Sequence, residues 1–166
     1  MTFEYHWHRG EANFGPVIET EVKKGTHFTI ESVLMFEGKF VALRRPNAIP
    51  HHEIPERVGK DFLYFVHDLP IWGESLEAYL KRIVLEQAGV EINNFRVFNL
   101  TMNIYEEELQ WAITPFVVVD LKFLPKPGIY GNEVSEVVTF DIDDIPKDFG
   151  WYDENEIKEL LKSASR

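Results

Sequence analysis

Cysteine is absent from the 166 residues, which excludes disulfides, thiol nucleophiles and thiolate metal sites. No apolar run approaches the ~20 residues that a membrane-spanning helix requires. Positive charge is scarce: 17 Lys and Arg stand against 28 Asp and Glu, a formal charge of −11. Binding along a phosphate backbone relies on clustered Lys and Arg, so a nucleic acid polymer is not an expected partner. A small phosphorylated ligand stays open, because a local basic pocket can sit inside an acidic molecule. The acidity itself reads first as solubility. Internal repeats, low-complexity stretches and interdomain linkers are missing too. So are a Ser-His-Asp arrangement, a P-loop and a dinucleotide Gly-rich fingerprint. The start, Met1-Thr2-Phe3-Glu4-Tyr5-His6-Trp7-His8, is neither basic nor followed by an apolar signal core. The expectation is a cytoplasmic chain.

What remains suits one domain over residues 1–166, with 1–26 as an N-terminal extension or edge strand. Thirteen Phe predict a Phe-rich core. His27 to Phe36 is rich in β-branched and aromatic residues and reads as a strand; Glu37-Gly38-Lys39 turns the chain and Phe40 to Arg45 returns as a hairpin. Pro46 to Lys60, with Pro50, Pro55 and Gly59, reads as a loop, and Asp61 to Val66 as another strand. Ser75 is a plausible N-cap for a helix whose apolar stripe is Leu76, Leu80, Ile83, Val84 and Ala88, ending at Gly89. Asn94 to Tyr105 and Leu109 to Phe123 follow as long strands around Glu106-Glu107-Glu108, with Pro115 suggesting a bulge or an edge. Glu133 to Phe140 is a further strand. Asp153 to Lys162 is a closing helix with capping-box spacing between Asp153 and Glu156. Strands outnumber helices about three to one, which argues for an α+β or mixed α/β sandwich.

One segment carries chemistry. Residues 68–90 resemble the Nudix box of the Nudix hydrolases, Gly-x5-Glu-x7-Arg-Glu-U-x-Glu-Glu-x-Gly-U, where U is a bulky aliphatic residue. Glu74, Arg82, Val84, Glu86, Gly89 and Val90 match in register, while Asp68, Ile83 and Gln87 depart. Arg44-Arg45-Pro46 after a glycine turn looks like the family's second strand, which delivers basic residues towards the substrate phosphates. Phe62 to Phe65 resembles the aromatic strand before the box, and Glu136 to Trp151 the closing strand and its acidic continuation. The resemblance covers roughly residues 28–162 and implies a Nudix-like α/β/α sandwich with a mixed central sheet. It also implies a homodimer, and Mg²⁺ or Mn²⁺ as cofactor. Tyr79 stands where the family usually has an alanine that lets the helix approach the sheet.

Pyrophosphate hydrolysis brings water against a diphosphate, and divalent ions neutralise its charge and activate the water. Positions 83, 86 and 87 fall at i, i+3 and i+4, one helical face on which three carboxylates would hold such ions. This chain offers Glu86, the neutral amide of Gln87 and the hydrocarbon of Ile83. Losing two anionic ligands removes a few kcal/mol apiece at an effective dielectric of about 20. Three outcomes follow. The first is a cleft that binds a nucleoside diphosphate-linked ligand, another phosphorylated molecule or a partner, with ordinary hydrolysis weak or absent. The second is a divergent pyrophosphohydrolase with Glu86, Glu136 and Glu133 as catalytic candidates and Glu86, Asp68 and Gln87 as metal candidates. The third is a structural interaction domain. Against the second, Asp68 can simply close a turn, and Glu86 can pair with Arg82 one turn earlier. Arg44, Arg45 and Trp72 are the substrate-binding candidates, with the two arginines pointing to opposite faces. Glu74, Arg82 and Gly89 are expected from the resemblance to brace the box.

Overall fold

The computed structural model describes residues 26–45, 62–71, 73–105, 110–128, 134–150 and 152–166. The residue 1–25 segment, the Pro-rich loop at 46–60 and the Glu106-Glu107-Glu108 turn lie outside them. Strand β1 (Thr26–Phe28) leads into β2 (Ile30–Phe36), and β3 (Lys39–Arg44) returns beside it. The turn between β2 and β3 is tight: Glu37 (φ 49°) and Gly38 (φ 80°) both take positive φ, so Lys39 already pairs with Phe36. Two such residues give the twist that matches the flanking strands.

The expected strand at 61–66 is two strands with different partners. Strand β4 (Leu63–Tyr64) pairs with the end of β3, whereas β5 (Val66–Asp68) pairs with the start of β2. The reason lies in the hairpin, where β2 and β3 pair only next to their turn. Beyond that point the β4–β5 segment supplies the backbone partners each has left, and the chain breaks its ladder at Phe65 to cross from one to the other. Strands β6 (Ile92–Tyr105) and β7 (Gln110–Leu121) form a long antiparallel pair, and β8 (Glu136–Phe140) lines the far side of β3. Strand β7 also runs parallel to both β1 and β2, so the eight-stranded sheet is mixed. Pro115 therefore lies inside the sheet rather than at its edge. It sits in the gap where the parallel partner changes, after Ile113 faces β1 and before Phe116 faces β2, so no ladder there requires its missing N–H. The bulge it suggested falls across the ladder, between Val97 and Asn99 of β6.

Two helices cover the two faces. Helix α1 (Leu76–Ala88) buries Tyr79, Leu80, Ile83, Val84 and Ala88 against Leu34, Val41, Leu43, Val66, Val117 and Val119. Ser75 caps its start and Gly89, at φ 71°, ends it by donating to the Leu85 carbonyl. Helix α2 (Glu154–Ala164) starts with the expected capping box and lays Ile157, Leu160, Leu161 and Ala164 on the other face. The phenylalanines gather there: Phe65 and Phe140 flank Phe149 at centroid distances of 5.2 and 5.9 Å, and Phe40 adjoins Phe140 at 5.7 Å. The result is an α/β/α sandwich. Among the described residues no helix is long and apolar enough to cross a membrane.

Tyr79 fastens α1 to the sheet. Its ring is fully buried, and its hydroxyl accepts from the Asp68 N–H at 2.9 Å and donates to the Ile30 carbonyl at 3.0 Å. The Asp68 carbonyl oxygen is also 3.0 Å away. Burial pushes the phenol well above its usual range, so it stays a donor. A larger side chain is accommodated where an alanine was expected because the hydroxyl satisfies backbone groups of β2 and β5 that it would otherwise cover. Tyr79→Phe keeps the ring and leaves those groups without the hydroxyl. It should cost about 1–3 kcal/mol, read as a lower midpoint in thermal denaturation; an unchanged midpoint would show that the clasp contributes nothing.

Candidate functional site

The box begins with a charge fork. Glu74 receives two bonds from Arg82, Nε to Oε1 at 2.8 Å and Nη2 to Oε2 at 2.9 Å, and a third from the Ile71 N–H at 3.0 Å. This bidentate geometry ties the loop before α1 to the middle of the helix. The Arg82 guanidinium, with the Ile71 N–H, holds the Glu74 carboxyl down at about 2. Arg82 also lies over the Tyr79 ring, 5.5 Å from its centroid, and bonds Glu86 at 3.1 Å. Glu74, Arg82 and Gly89 thus hold the loop, the helix and its end.

The three helix positions considered for metal binding do not share one environment. Ile83 is 1% exposed and packs in the α1-side core. Glu86 points outward, its side chain 56% exposed, and spans back to Arg82. Between them, Gln87 is bonded at both ends of its amide. The Arg45 Nη1 donates to its Oε1 at 3.0 Å, and its Nε2 donates to the His67 carbonyl at 2.8 Å. Asp68 ends β5, and its Oδ1 accepts from the adjacent Leu69 N–H at 2.7 Å. Among the described residues no three His, Asp or Glu side chains converge as a metal-binding group. The donors present do not fit a divalent ion: the amide faces a guanidinium, and one carboxylate is paired with an arginine.

Arg44 and Arg45 do point to opposite sides. Arg44 bonds Glu136 at 2.6 Å, its partner in the β3–β8 ladder, and Asp148 at 2.7 Å. Glu136, a catalytic candidate, is therefore drawn into an arginine pair rather than towards Glu86. Arg45 turns to the end of α1. Glu133 and Trp72 lie outside the described residues.

Sequence reasoning passed over Glu31. It lies on β2, across the ladder from His67, and its carboxyl is bonded by Tyr152. Although the residue as a whole is only partly buried, enclosure of the carboxyl group pushes it up to about 8. A lone carboxylate inside the apolar run Phe28–Phe36 was the signal that could have found it. Its pH effect has a definite sign. The unfolded chain ionises near 4.5 and the folded one near 8, so this contribution is complete below 4.5 and lost as pH rises towards 8. Glu31→Gln should therefore raise the melting midpoint relative to the native chain at pH 8 and have little effect at pH 4.5. Thermal melts at both values check this; equal effects would contradict it.

No family model matches the sequence, and no curated protein matches it. Solved structures do match in fold. A MutT Nudix hydrolase from Burkholderia pseudomallei aligns over 83% of this chain and 98% of its own, at 14% identity and a TM-score of 0.59. A Nudix hydrolase from Nitrosomonas europaea aligns over 84% and 88%, at 11% identity and a TM-score of 0.61. The Nudix domain of Shewanella oneidensis NrtR, solved in complex with ADP ribose, aligns over 93% and 96%, at 18% identity and a TM-score of 0.59. What is shared at such identities is the architecture, and the chain accordingly has a Nudix-like fold.

Proposed function

We propose that this protein is a Nudix-fold binding module for a nucleoside diphosphate-linked small molecule, with ordinary magnesium-dependent pyrophosphate hydrolysis weak or absent. One observation carries the reading: Gln87, at a position where the family has a carboxylate, has its amide bonded at both ends, by Arg45 and to the His67 carbonyl. With Ile83 in the core and Glu86 on Arg82, the helix presents no cluster of negative charge to hold a hard cation. Without that cation, water near a diphosphate keeps its ordinary pKa and the phosphates keep their charge. Binding makes smaller demands. It needs a positive group and a cleft wall, which Arg45 and the end of α1 supply.

The ligand class is supported by the NrtR Nudix domain, which was solved with ADP ribose. The same reading has the protein cytoplasmic and homodimeric. Association is supported by the exposed side chains of Leu100, Met102 and Ile104, which alternate along one face of β6.

Isothermal titration with ADP-ribose, run once in EDTA and once in Mg²⁺, tests the main claim when paired with chromatography for released AMP. Saturable binding in both buffers without AMP release is expected. Rapid magnesium-stimulated cleavage would instead establish the divergent pyrophosphohydrolase, and no binding of any diphosphate compound would leave an interaction domain.

A further inference from the structure

At the C-terminal end of α1, three elements meet through a chain of hydrogen bonds that runs in one direction. Arg45, just past β3, donates to Gln87 on α1 at 3.0 Å, and Gln87 donates to the carbonyl of His67 on β5 at 2.8 Å. The two links demand opposite capacities, an acceptor towards Arg45 and a donor towards His67. An amide has both. A carboxylate at the same position could accept from Arg45 with one oxygen, but its other oxygen would face the His67 oxygen, acceptor against acceptor. Two oxygens at that separation need a proton or a metal cation between them. A carboxylate and a carbonyl oxygen are also the hard ligands that Mg²⁺ and Mn²⁺ prefer.

We propose that the Gln87 amide takes the place of a divalent cation between α1 and the His67 carbonyl, with the Arg45 guanidinium supplying the positive charge. The junction of α1 with β5 and the end of β3 is thereby assembled without metal, and an anionic group approaching it meets a guanidinium held in place instead of an exchangeable ion. This deepens the binding-module reading above and rests on it only for the nature of that anion. Side-chain hydrogen bonds at 3.0 and 2.8 Å hold all three elements in one register, so the junction forms on folding rather than on metal loading.

Gln87→Glu tests the idea in melts that contain no nucleotide, so its failure is distinguishable from a failure of ADP-ribose binding. The native chain should melt at the same temperature in EDTA and in Mn²⁺. In EDTA at pH 8, Gln87→Glu should melt roughly 4–8 °C lower, the size expected when a part-buried hydrogen bond is replaced by two facing acceptors. Mn²⁺ should restore most of that loss. Acidification to pH 5 should also narrow the gap, because a protonated Glu side chain can again donate to His67. Gln87→Met, which can neither donate nor accept strongly, should melt low in every buffer. Calorimetric titration provides a second readout, with Mn²⁺ binding to Gln87→Glu and none to the native chain. The proposal is overturned if Gln87→Glu melts like the native chain in EDTA at pH 8, if Mn²⁺ leaves its deficit in place, or if the native chain itself gains stability from Mn²⁺.

Discussion

Gln87 meets a guanidinium on one side and a carbonyl oxygen on the other, and a neutral amide is what lets both contacts exist together. The rest of the cleft is consistent with that neutrality. A carboxylate at 83 would place a charge in the α1-side core, where Ile83 now packs with Leu80 and Val84. Burying an unpaired charge costs several kcal/mol, on the order that decides whether a domain folds. Glu86 forms a helical pair with Arg82, a contact worth only a few tenths of a kcal/mol but enough to satisfy an exposed carboxylate. Ile83, Glu86 and Gln87 thus leave this helix face without a cluster of negative charge.

Side chains tie the loop, the helix and the sheet together around that face. Glu74 and Arg82 join the loop to the helix, and Gly89 ends it in the left-handed conformation. Tyr79 adds hydrogen bonds from the helix to β2 and β5, directly beside the β5 strand whose His67 carbonyl receives Gln87. Two side chains two turns apart on α1 therefore grip the same short strand. Helix and strand are thus aligned through side-chain hydrogen bonds at two points. Arg44 is committed to Glu136 and Asp148 on the other side of the sheet, leaving Arg45 as the arginine of the pair that reaches α1.

Much of the fold was legible in the sequence because its signals are local. The stripe from Leu76 to Ala88, the caps at Ser75 and Gly89 and the Asp153–Glu156 box each depend on residues within a turn or two of one another. The Glu37-Gly38 turn did as well, although it proved one residue shorter than expected. The strand at 61–66 was misread as continuous because its division depends on β2 and β3 parting, and nothing within the segment records that. Pro115 was misplaced for a related reason: a proline in an interior strand is tolerated only where the neighbouring strand happens to change.

The sequence by itself determined the order of the elements and the spacing of Glu74, Arg82, Ile83, Glu86, Gln87 and Gly89, since these follow from residue identity and position. Only the tertiary structure decided where the remaining polar groups point. Glu136 bonded to Arg44, Glu31 enclosed beside Tyr152 and Gln87 joining Arg45 to His67 all depend on partners distant along the chain. Hydrogen bonds and burial are set by proximity in space, and for these residues that proximity comes from the folding of β2, β3, β5 and β8 around α1 and α2.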